Sequence, residues 1–411
     1  MKILVCSDVH LGRVPAIVTH TSLDGVTVWE SVVQTAISQQ VDALVLAGDV
    51  IDQDDAWYEA YGPLVKNINE LNKLGIQVLA VAGNHDAKVF PKLVHDCPHV
   101  KLLGLGGNWE FCDLNGVRFL GWSFPSPTYM QDPFTTFNQN LLDTSGPILG
   151  ILHGEVNGQP GASRYAPVPS HRLQALSKPY WVLGHIHKQR MENNWMYCGS
   201  PFALDSSEKG PHGVWLIENE ENGWKAPQFI QLCPYRLEDC EVVLDLDTDY
   251  ENINTYIIDS LKTFGKTVAD QGFFGTLYCH LIFTGTVKPN FNLQKALTAD
   301  QLQAFEIPLG ESIEISPLGN YEDRTELEID LEQLAKGVGL KALLAQKLLH
   351  IQEEQTLIRQ IGQLEKDSYN TNTFSLLKEP DHVDNERIER LIRQAGIKLL
   401  RAIISQGDRN A

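Results

Sequence analysis

Apolar residues near the start of the chain alternate between short continuous runs and longer stretches with helical spacing. The continuous runs lie at residues 2–7, 42–47 and 77–82, as expected for strands that are buried on both faces. The residues at helical spacing are Val28, Val32, Ala36 and Ile37, and then Leu64, Ile68, Leu71 and Leu74, with Gly75 at the position of a helix C-cap. This pattern predicts a β-α-β-α-β beginning with a mostly parallel sheet and right-handed connections.

Further strands are predicted in the next part of the chain, with few helices between them. They lie at residues 118–122, 148–152, 180–183, 196–198, 213–218 and 227–232. The last two flank the turn-rich residues 220–223, so they predict a hairpin. Because many strands follow one another with few helices, we expect a second sheet packed on the first.

The chain is predicted to divide into three domains, at residues 1–235, 236–320 and 321–411. The first boundary lies near Cys233 and Pro234. A small α+β domain follows, with a strand at 241–247, a helix at 250–264 and a strand at 276–284.

The last of the three domains is predicted to be helical. Its apolar residues at helical spacing are Leu327, Leu331, Leu334 and Val338, then Leu340, Leu344, Leu348 and Ile351, and finally Ile388, Leu391, Ile392, Leu399 and Ile403. Gly337 and Gly339 separate the first two sets, and the polar residues 367–385 predict a linker. Residues 387–411 carry six basic and two acidic side chains. A basic amphipathic helix of this kind can bind a partner helix or an anionic surface, or it can be an ordinary solvated face.

The composition predicts folded domains with an acidic surface. Of the 411 residues, 43% are hydrophobic and 21% are charged, which is enough apolar material for two or three domains. The net charge of -19 is unusual for a stand-alone nucleic-acid binder. It argues less strongly against a metal-dependent nuclease, because bound cations reverse the local field and a partner protein can supply basic surface.

Cysteine usage and the N-terminus predict a cytoplasmic protein. The seven cysteines form no C-x-x-C pair, and Cys6 and Cys198 lie in apolar runs, so a reducing compartment is expected. A strand begins at Lys2, so no signal peptide is expected. No apolar run reaches the roughly 18 residues that a transmembrane helix needs.

Five short segments rich in Asp, Asn and His lie where predicted strands end. They are Asp8-Val9-His10, Gly48-Asp49, Gly83-Asn84-His85-Asp86, His153-Gly154 and Gly184-His185-Ile186-His187. Open α/β sheets place their sites at the carboxyl ends of strands, so these side chains are expected to meet. Each segment alone is a chance occurrence in a long chain, but the ordered set of five is not. His171, His212 and Cys233 lie outside this set and are expected to be structural or surface residues.

The five segments offer carboxylates, imidazoles and one amide, without a thiolate. This set of ligands favours Mn²⁺, Fe or Zn²⁺ over Ca²⁺ or Mg²⁺. Two such ions that share a carboxylate suit phosphate-ester hydrolysis, because one ion activates water while both stabilise the phosphate oxygens.

The ordered set D-x-H, G-D, G-N-H-D, H and G-H-x-H resembles the calcineurin-like metallophosphoesterase superfamily. Within it, the chain resembles the SbcD-type DNA repair exonuclease family, notably its YhaO-like bacterial branch. The stretches that narrow the resemblance are residues 7–12, residues 42–49, and Cys198-Gly199-Ser200-Pro201 with Glu208, Gly210 and Gly213 after it. The resemblance covers residues 1–235 well and the remainder in size and order only. It implies a four-layer α/β/β/α sandwich, a small α+β cap domain and a helical C-terminal region.

The resemblance also implies roles for individual residues. One divalent ion, most simply Mn²⁺, would be held by Asp8, His10, Asp49 and His187, and the other by Asp49, Asn84, His153 and His185. His85 would protonate the leaving oxygen or stabilise the developing charge, and Asp86 would orient His85.

Partners are implied in the same way. In the family, the cap domain covers the DNA cleft, and the helical C-terminal part docks the coiled coil of an SMC-like ATPase. Family members usually form homodimers through helices near the site, and the helix at residues 58–68 is the candidate here.

One position departs from the pattern of some nucleases of the family. They carry a His shortly after the Gly-Asp pair that helps to position the nucleotide, and Asp52 occupies that place here. Together with Asp54 and Asp55, Asp52 would repel phosphates unless metal ions compensate its charge. This departure bears on processive exonuclease activity rather than on phosphodiester hydrolysis.

Three functions are therefore compared. The first is a DNA exonuclease or endonuclease subunit that works with an SMC-like coiled-coil ATPase. The second is a small-molecule or protein phosphoesterase. Two features count against it: protein phosphatases carry Glu at the position of Asp86, and this chain has a long C-terminal extension. The third is a metal-bound scaffold without catalysis, against which counts the complete set of ligand positions.

Overall fold

The computed structural model describes residues 1–14, 24–53, 57–158, 161–220, 223–369 and 385–408. The elements up to residue 234 are β1 (Lys2–Cys6), α1 (Gly25–Ser38), β2 (Ala43–Ala47), α2 (Trp57–Lys73), β3 (Gln77–Val81), α3 (Phe90–Asp96), β4 (Val100–Leu102), β5 (Trp109–Leu114), β6 (Val117–Trp122), β7 (Ile148–His153), α4 (Ser170–Ala175), β8 (Pro179–Gly184), β9 (Arg190–Met191), β10 (Trp195–Tyr197), β11 (Gly213–Glu220), β12 (Gly223–Trp224) and β13 (Gln228–Gln231). The later elements are β14 (Tyr235–Leu244), α5 (Ile253–Ala269), β15 (Gly275–Val287), α6 (Leu293–Ala296), α7 (Ala299–Gln303), β16 (Ile307–Leu309), β17 (Ile313–Asp323), β18 (Glu326–Leu327), α8 (Leu331–Ala335), α9 (Leu340–Leu349), α10 (Gln355–Tyr369) and α11 (Asn385–Asp408). Short 3₁₀ helices lie at Pro133–Thr136, Gln139–Leu142 and Ile351–Glu353.

The first sheet contains the three predicted N-terminal strands side by side. Strands β1, β2, β3 and β4 are parallel neighbours in that order, and β11 pairs with β1 in the antiparallel direction. The predicted hairpin is also present, because β12 and β13 both pair antiparallel with β11. The mostly parallel sheet and the hairpin are therefore confirmed, although turn residues 221 and 222 lie outside the described part.

The helices between these strands begin and end at recognisable caps. The carboxylate of Asp24 accepts a hydrogen bond from the Thr27 N–H at 2.8 Å and caps the start of α1. At the end of α2, Gly75 has a φ of 81°, and the Ile76 N–H donates to the Leu71 carbonyl at 2.9 Å. This is the Schellman arrangement, so the predicted C-cap at Gly75 is confirmed.

The second sheet has the order β5-β6-β7-β8-β10-β9. Its four central strands are parallel, and β5 and β9 are antiparallel edge strands. The register places His153, the last residue of β7, directly beside Gly184, the last residue of β8. Two of the predicted site segments are therefore neighbours at one edge of this sheet.

The two sheets pack face to face and are covered by helices on their outer faces. The buried residues between the sheets include Val5, Val45, Phe119 and Ile151. The outer face of the first sheet packs against α1 and α2 through buried side chains such as Trp29. A thinner layer of α4 and 3₁₀ helices covers the tryptophan-rich outer face of the second sheet. The predicted four-layer α/β/β/α arrangement is therefore confirmed.

The third sheet has the order β14-β15-β17-β16, and the short strand β18 pairs with β15. Together with α5 it supplies the expected α+β content after residue 234. The chain divides into two units by its contacts, one formed by Met1–Asp239, Leu261–His280 and Gln303–Leu318, the other by Cys240–Ser260, Leu281–Leu302 and Gly319–Ala411. These units cut across the second and third predicted domains, so the division at residues 235 and 320 stays a prediction.

The helical prediction for the C-terminal part is wrong at its beginning. Leu327 lies in strand β18, where Val287 is its partner on β15, and Val338 is 97% exposed rather than part of a helical apolar face. Strand pairing to a distant part of the chain leaves no periodic signal, which is why spacing alone suggested a helix here. The helices α9 and α11 agree with the prediction. Most of the predicted linker at 367–385 lies outside the described residues.

No helix in the described part of the chain is long and apolar enough to cross a membrane.

Candidate metal centre

The predicted site segments follow the strand ends at which the two sheets face each other. Asp8 and His10 come after β1, Asp49 after β2, and Asn84 and His85 after β3, while His153 ends β7 and His185 and His187 follow β8. Hydrogen bonds join these segments. For example, the His185 N–H donates to both carboxylate oxygens of Asp8, at 3.0 and 3.1 Å.

Four of these residues hold a left-handed backbone conformation. Their φ angles are 53° at Asp8, 49° at His10, 49° at Asp49 and 97° at His185. Such a conformation costs a residue with a Cβ atom on the order of 1–3 kcal/mol and persists only where the surroundings enforce it. Its concentration at the strand ends is a structural sign of a functional site.

The glycines that precede three of the five ligand segments are required by close packing. A Cβ atom at Gly48 would overlap the imidazole of His153, one at Gly83 would overlap the carboxylate of Asp49, and one at Gly184 would overlap the Ala47 carbonyl oxygen. Gly48 also has a φ of 89°. The Gly-Asp, Gly-Asn and Gly-His pairs therefore exist because each glycine lies against another segment of the site.

Asp8, His10 and His187 form one group of candidate metal ligands. One ligand atom from each lies within 4.8 Å of the others. The Nε2 atoms of His10 and His187 are 3.2 Å apart, and the Nε2 of His187 is 3.9 Å from the Oδ1 of Asp8. Asp8 is fully buried.

A second group contains Asp8, Asp49 and His153. The Nε2 of His153 lies 3.2 Å from the Oδ2 of Asp49 and 3.1 Å from the Oδ1 of Asn84. The structure therefore brings Asn84 and Asp49 together at one imidazole, as predicted. Asp8 belongs to both groups, and the predicted bridging role of Asp49 stays a prediction.

His185 lies beside the second group and belongs to none of the three groups of candidate ligands, the third of which is His10, Asp52 and His85. Its ring centroid is 5.4 Å from that of His153 and 4.7 Å from that of Tyr165. Burial and then the nearby His153 lower the pKa of His185 to about 4, so its imidazole is neutral and has a lone pair available for a cation.

His85 projects from the site with its side chain 36% exposed. Its Nδ1 donates to the main-chain carbonyl oxygen of Asp52 at 2.6 Å, and its own N–H donates to the Oδ1 of Asp49 at 2.9 Å. The first bond holds the ring and the second holds the main chain, so Nε2 is the nitrogen that carries the lone pair of the neutral ring.

Asp86 contacts the main chain rather than the ring of His85. Its Oδ2 accepts from the Val50 N–H at 2.7 Å, and its Oδ1 accepts from the Gly83 N–H at 2.7 Å. The expectation that Asp86 orients His85 is therefore corrected, because the carbonyl of Asp52 bonds to the imidazole instead. Burial, with the charge of Asp49, raises the pKa of Asp86 to about 7.

The charges of the site are mutually compensated within the protein. Burial opposes ionisation of Asp49, but the contact with His153 outweighs it and lowers the pKa of Asp49 below its usual range. The same pair raises the pKa of His153 to about 9 against the effect of burial. An anionic carboxylate buried against imidazole nitrogen is the environment that a cation also stabilises.

The donor set fits divalent ions that accept both nitrogen and oxygen. It combines imidazoles, buried carboxylates and an amide oxygen at the junction of the strand ends, and the described ligand atoms include no thiolate. The Nε2 atoms of His10 and His187, 3.2 Å apart, need a proton or a metal ion between them, because two lone pairs would otherwise face each other.

Three residues with contacts in the site have no assigned role from the sequence alone. The carboxylate of Asp52 lies 2.8 Å from the Nδ1 of His10, that of Glu208 lies 2.6 Å from the Nδ1 of His187, and the ring of Tyr165 lies against that of His185. In the sequence, Asp52 counts only as added negative charge, and Glu208 only as part of the stretch that narrows the resemblance. Asp54 and Asp55 lie outside the described residues.

His212, His171 and Cys233 are structural or surface residues, as expected. His212 is buried with its Nδ1 3.0 Å from the Oγ of Ser200, Cys233 is buried, and His171 is exposed on α4.

Comparison with known proteins agrees with this geometry. Residues 1–189 match the calcineurin-like phosphoesterase family. The chain is 27% identical over 201 residues to the uncharacterised metallophosphoesterase YhaO of Bacillus subtilis, covering 45% of this chain and 47% of that protein. It is 22% identical over 310 residues to the DNA double-strand break repair protein Mre11 of Nanoarchaeum equitans, covering 64% and 81% of the two chains. It is 25% identical over 301 residues to a subunit of the SbcCD nuclease of Staphylococcus epidermidis, covering 62% and 74%.

The match spans about half the length of the Bacillus subtilis protein and a larger share of the two others. The family match ends two residues after His187, so it includes all five segments of the site. The chain therefore contains a calcineurin-like metallophosphoesterase domain, related to YhaO, SbcD and Mre11 proteins.

Proposed function

We propose that this chain is a metal-dependent phosphodiesterase that cuts DNA as the nuclease subunit of a larger complex. The observation that supports this most strongly is the convergence of two groups of imidazole and carboxylate ligands beside the partly exposed ring of His85. A cluster of this kind at the meeting point of strand ends suits a substrate that carries negative charge.

The proposed ligands are those of the sequence analysis. Asp8, His10, Asp49 and His187 would hold one ion, and Asp49, Asn84, His153 and His185 the other. When bound, two divalent ions, most simply Mn²⁺, supply activation of water and stabilisation of the charge on the phosphate oxygens. The mixed imidazole and carboxylate set makes Mn²⁺ a better match than Mg²⁺ or Ca²⁺.

His85 is proposed to deliver a proton to the leaving oxygen from its Nε2. The hydrogen bond from Nδ1 to the Asp52 carbonyl persists in both protonation states, because a carbonyl oxygen only accepts. The ring therefore keeps its orientation while Nε2 gains or loses the proton. An imidazolium at this position would also stabilise negative charge that develops on the phosphate.

DNA is the proposed substrate because of the relatives. One is named a DNA double-strand break repair protein and another a nuclease subunit. Asp52 does not face the substrate position as an unpaired charge, since its carboxylate is bonded to His10. That contact lowers the pKa of Asp52 against the effect of burial, so the carboxylate is ionised and its negative charge favours a cation bound at His10.

The experiment that tests this proposal compares the wild-type chain with His85→Ala on 5′-labelled single- and double-stranded DNA in the presence of Mn²⁺. The variant should lose activity by on the order of 10²-fold or more, since a proton donor contributes about this much. Mn²⁺ binding, measured separately by calorimetry, should be unchanged because His85 is not a proposed ligand.

Uncut DNA together with cleavage of bis-p-nitrophenyl phosphate would contradict the choice of substrate and favour a small-molecule phosphoesterase. Binding of Mn²⁺ without cleavage of either substrate would instead favour a non-catalytic scaffold.

A helical docking site for an SMC-like coiled-coil ATPase is proposed in the C-terminal unit. An apolar groove of about 780 Å³ lies between α9, α10 and α11, and Leu348, Ile361 and Leu399 are among its lining residues. The helix α11 carries five basic and three acidic side chains, and this basic excess suits an amphipathic helix with an acidic polar face. Leu391 and Leu399 are 43% and 52% exposed in the isolated chain.

A further inference from the structure

At one of the two proposed ion positions, both imidazoles contact a carboxylate through the ring nitrogen that faces away from the ion. The Nδ1 of His10 is 2.8 Å from the Oδ1 of Asp52, and the Nδ1 of His187 is 2.6 Å from the Oε1 of Glu208. An ionised carboxylate can only accept, so each Nδ1 carries the proton. The lone pairs of both rings are then on the Nε2 atoms, which face each other at 3.2 Å beside Asp8.

At the other proposed position, no carboxylate of the described residues is placed in this way. The Nδ1 of His153 lies 3.0 Å from the main-chain carbonyl oxygen of Ala47, which is neutral, and the ring of His185 lies against that of Tyr165, tilted by 38°. A carboxylate polarises the N–H of an imidazole more strongly than a carbonyl does, so it makes the opposite nitrogen a better ligand. The two positions therefore differ in the group that polarises the imidazole N–H on the side away from the ion.

Glu208 is held in place by a closed set of contacts around His187. Its Oε2 accepts from the Leu204 N–H at 2.8 Å, and its main-chain carbonyl accepts from the Nε2 of His212 at 3.2 Å. The Nδ1 of His212 lies 3.0 Å from the Oγ of Ser200, and the Ser200 N–H donates back to the carbonyl of His187 at 3.0 Å. The side chain of Glu208 is 13% exposed, so water competes little for the bond to His187.

We propose that Glu208 is a positioning residue which, together with Asp52, makes the ion position at Asp8, His10 and His187 the tighter of the two, so that it fills first. This inference rests on the metal centre of the proposed function. It adds an order of loading and names the residue on which that order depends.

The substitution Glu208→Gln is a direct test because the Leu204 N–H dictates how the amide would lie. The carbonyl oxygen of the glutamine would face the Leu204 N–H, which needs an acceptor, and the amide NH₂ would then face the Nδ1 of His187. That amide is a donor, so the imidazole would have to accept at Nδ1 and carry its proton on Nε2. The nitrogen that faces the ion would thereby lose its lone pair.

The measurement is Mn²⁺ binding to the full-length, chelator-treated chain, by isothermal titration calorimetry and by electron paramagnetic resonance of the free ion. The wild type should show two binding events of different affinity. Glu208→Gln should weaken the tighter event about 10- to 100-fold, which is the effect typical of losing such a partner. The weaker event should keep its affinity.

Two further variants assign the events. Asn84→Ala should weaken only the looser binding event. In the double variant Asn84→Ala with Glu208→Gln, the titration should therefore show only the tighter event, and the affinity lost there through Glu208→Gln is measured by itself. Glu218→Gln removes the same charge from the surface of β11, where Glu218 pairs with Lys225 at 2.7 Å, and should change neither event. The thermal unfolding of the metal-free variants shows that each one is folded.

The inference is overturned if the wild type binds two ions with equal affinity, if Glu208→Gln leaves the tighter event within about twofold, or if both events weaken together. No binding of Mn²⁺ by the wild type would overturn the proposed metal centre as well. Two events that are insensitive to Glu208→Gln would overturn the order of loading alone and leave the proposed function standing.

Discussion

Individual residues at the site hold conformations that the chain would not adopt elsewhere. Asp8, His10, Asp49 and His185 all have positive φ angles, and the glycines before three of the ligand segments allow no Cβ atom. The surrounding fold must supply the free energy for these conformations. A ligand-binding geometry that is strained in this way is sensitive to the smallest added group.

Adding one methyl group at Gly83 should damage the site. The Cβ atom of Gly83→Ala would overlap the carboxylate of Asp49, whose loop is also held by the bond from the His85 N–H. We expect a loss of about 1–3 kcal/mol in the free energy of unfolding, as for other overpacked positions, and weaker binding of Mn²⁺. Chemical denaturation and calorimetry would measure the two effects.

Gly62→Ala is the matched control for this change. A Cβ atom at Gly62 meets no atom of another segment within 4 Å. Alanine is the better helix former inside α2, but Pro63 follows directly and disfavours a Cβ atom before it in a helix, so the two effects oppose each other. This variant should therefore change the free energy of unfolding by no more than about 1 kcal/mol and should leave Mn²⁺ binding unchanged. Equal losses at Gly62 and Gly83 would contradict the explanation by close contact with Asp49.

At the scale of secondary structure, the buried parallel strands were predictable because their apolar runs are continuous. The strand β5 was missed, although Asn115-Gly116 between β5 and β6 is a strong hairpin signal. Both turn residues have positive φ angles, 48° and 79°, as a two-residue type I′ turn requires. Strand β18 was missed for a different reason, since its two residues pair with a distant strand and have no pattern of their own.

Two adjacent leucines of α11 differ in burial, and their substitution should therefore affect stability differently. Leu400 is fully buried and packs with Ala345 and Leu348 of α9, whereas Leu399 is 52% exposed at the apolar groove. Leu400→Ala should cost about 2–5 kcal/mol and increase hydrogen exchange throughout α9 and α11. Leu399→Ala should change stability by no more than about 0.5 kcal/mol.

The same pair separates folding from partner binding. If the groove docks a coiled-coil ATPase, Leu399→Ala should weaken the complex in a binding assay while its hydrogen exchange stays that of the wild type. Leu340 is 67% exposed and is not among the residues that line the groove, so Leu340→Ala should leave binding unchanged. Equal binding by the Leu399 and Leu340 variants would contradict a docking role for the groove.

At the scale of the whole molecule, the metal centre lies where the ends of two sheets meet. Strands β1, β2 and β3 of the first sheet and β7 and β8 of the second each bring at least one proposed ligand. Ions at this junction would link the two sheets, so their binding should stabilise the folded domain as a whole.

Addition of Mn²⁺ to the chelator-treated chain should therefore raise its thermal unfolding temperature. At a free concentration about 100 times the dissociation constant, one bound ion adds about 2.7 kcal/mol, which corresponds to several degrees for a domain of this size. Differential scanning fluorimetry would measure the shift. Ca²⁺ should produce a smaller one, because it prefers oxygen ligands to imidazole.

Asp8→Asn is the control, since Asp8 belongs to two of the three groups of candidate ligands. The variant should respond less to Mn²⁺ than the wild type does. An equal rise in both proteins would show that the ion stabilises the chain at some other place.

The sequence by itself determined the class of chemistry, because the identity and order of Asp8, His10, Asp49, Asn84, His153, His185 and His187 limit the ligands to imidazole, carboxylate and amide. It also determined the buried parallel strands, since their apolar runs need no tertiary information to be recognised. The hydrogen bonds that hold the ligand imidazoles and His85 in place were decided only by the tertiary structure. Glu208 reaches His187 from a loop 21 positions away, and Asp52 rather than Asp86 bonds to His85. The physical reason is that such hydrogen bonds depend on the paths of loops, which positive φ angles and glycine contacts between distant segments define.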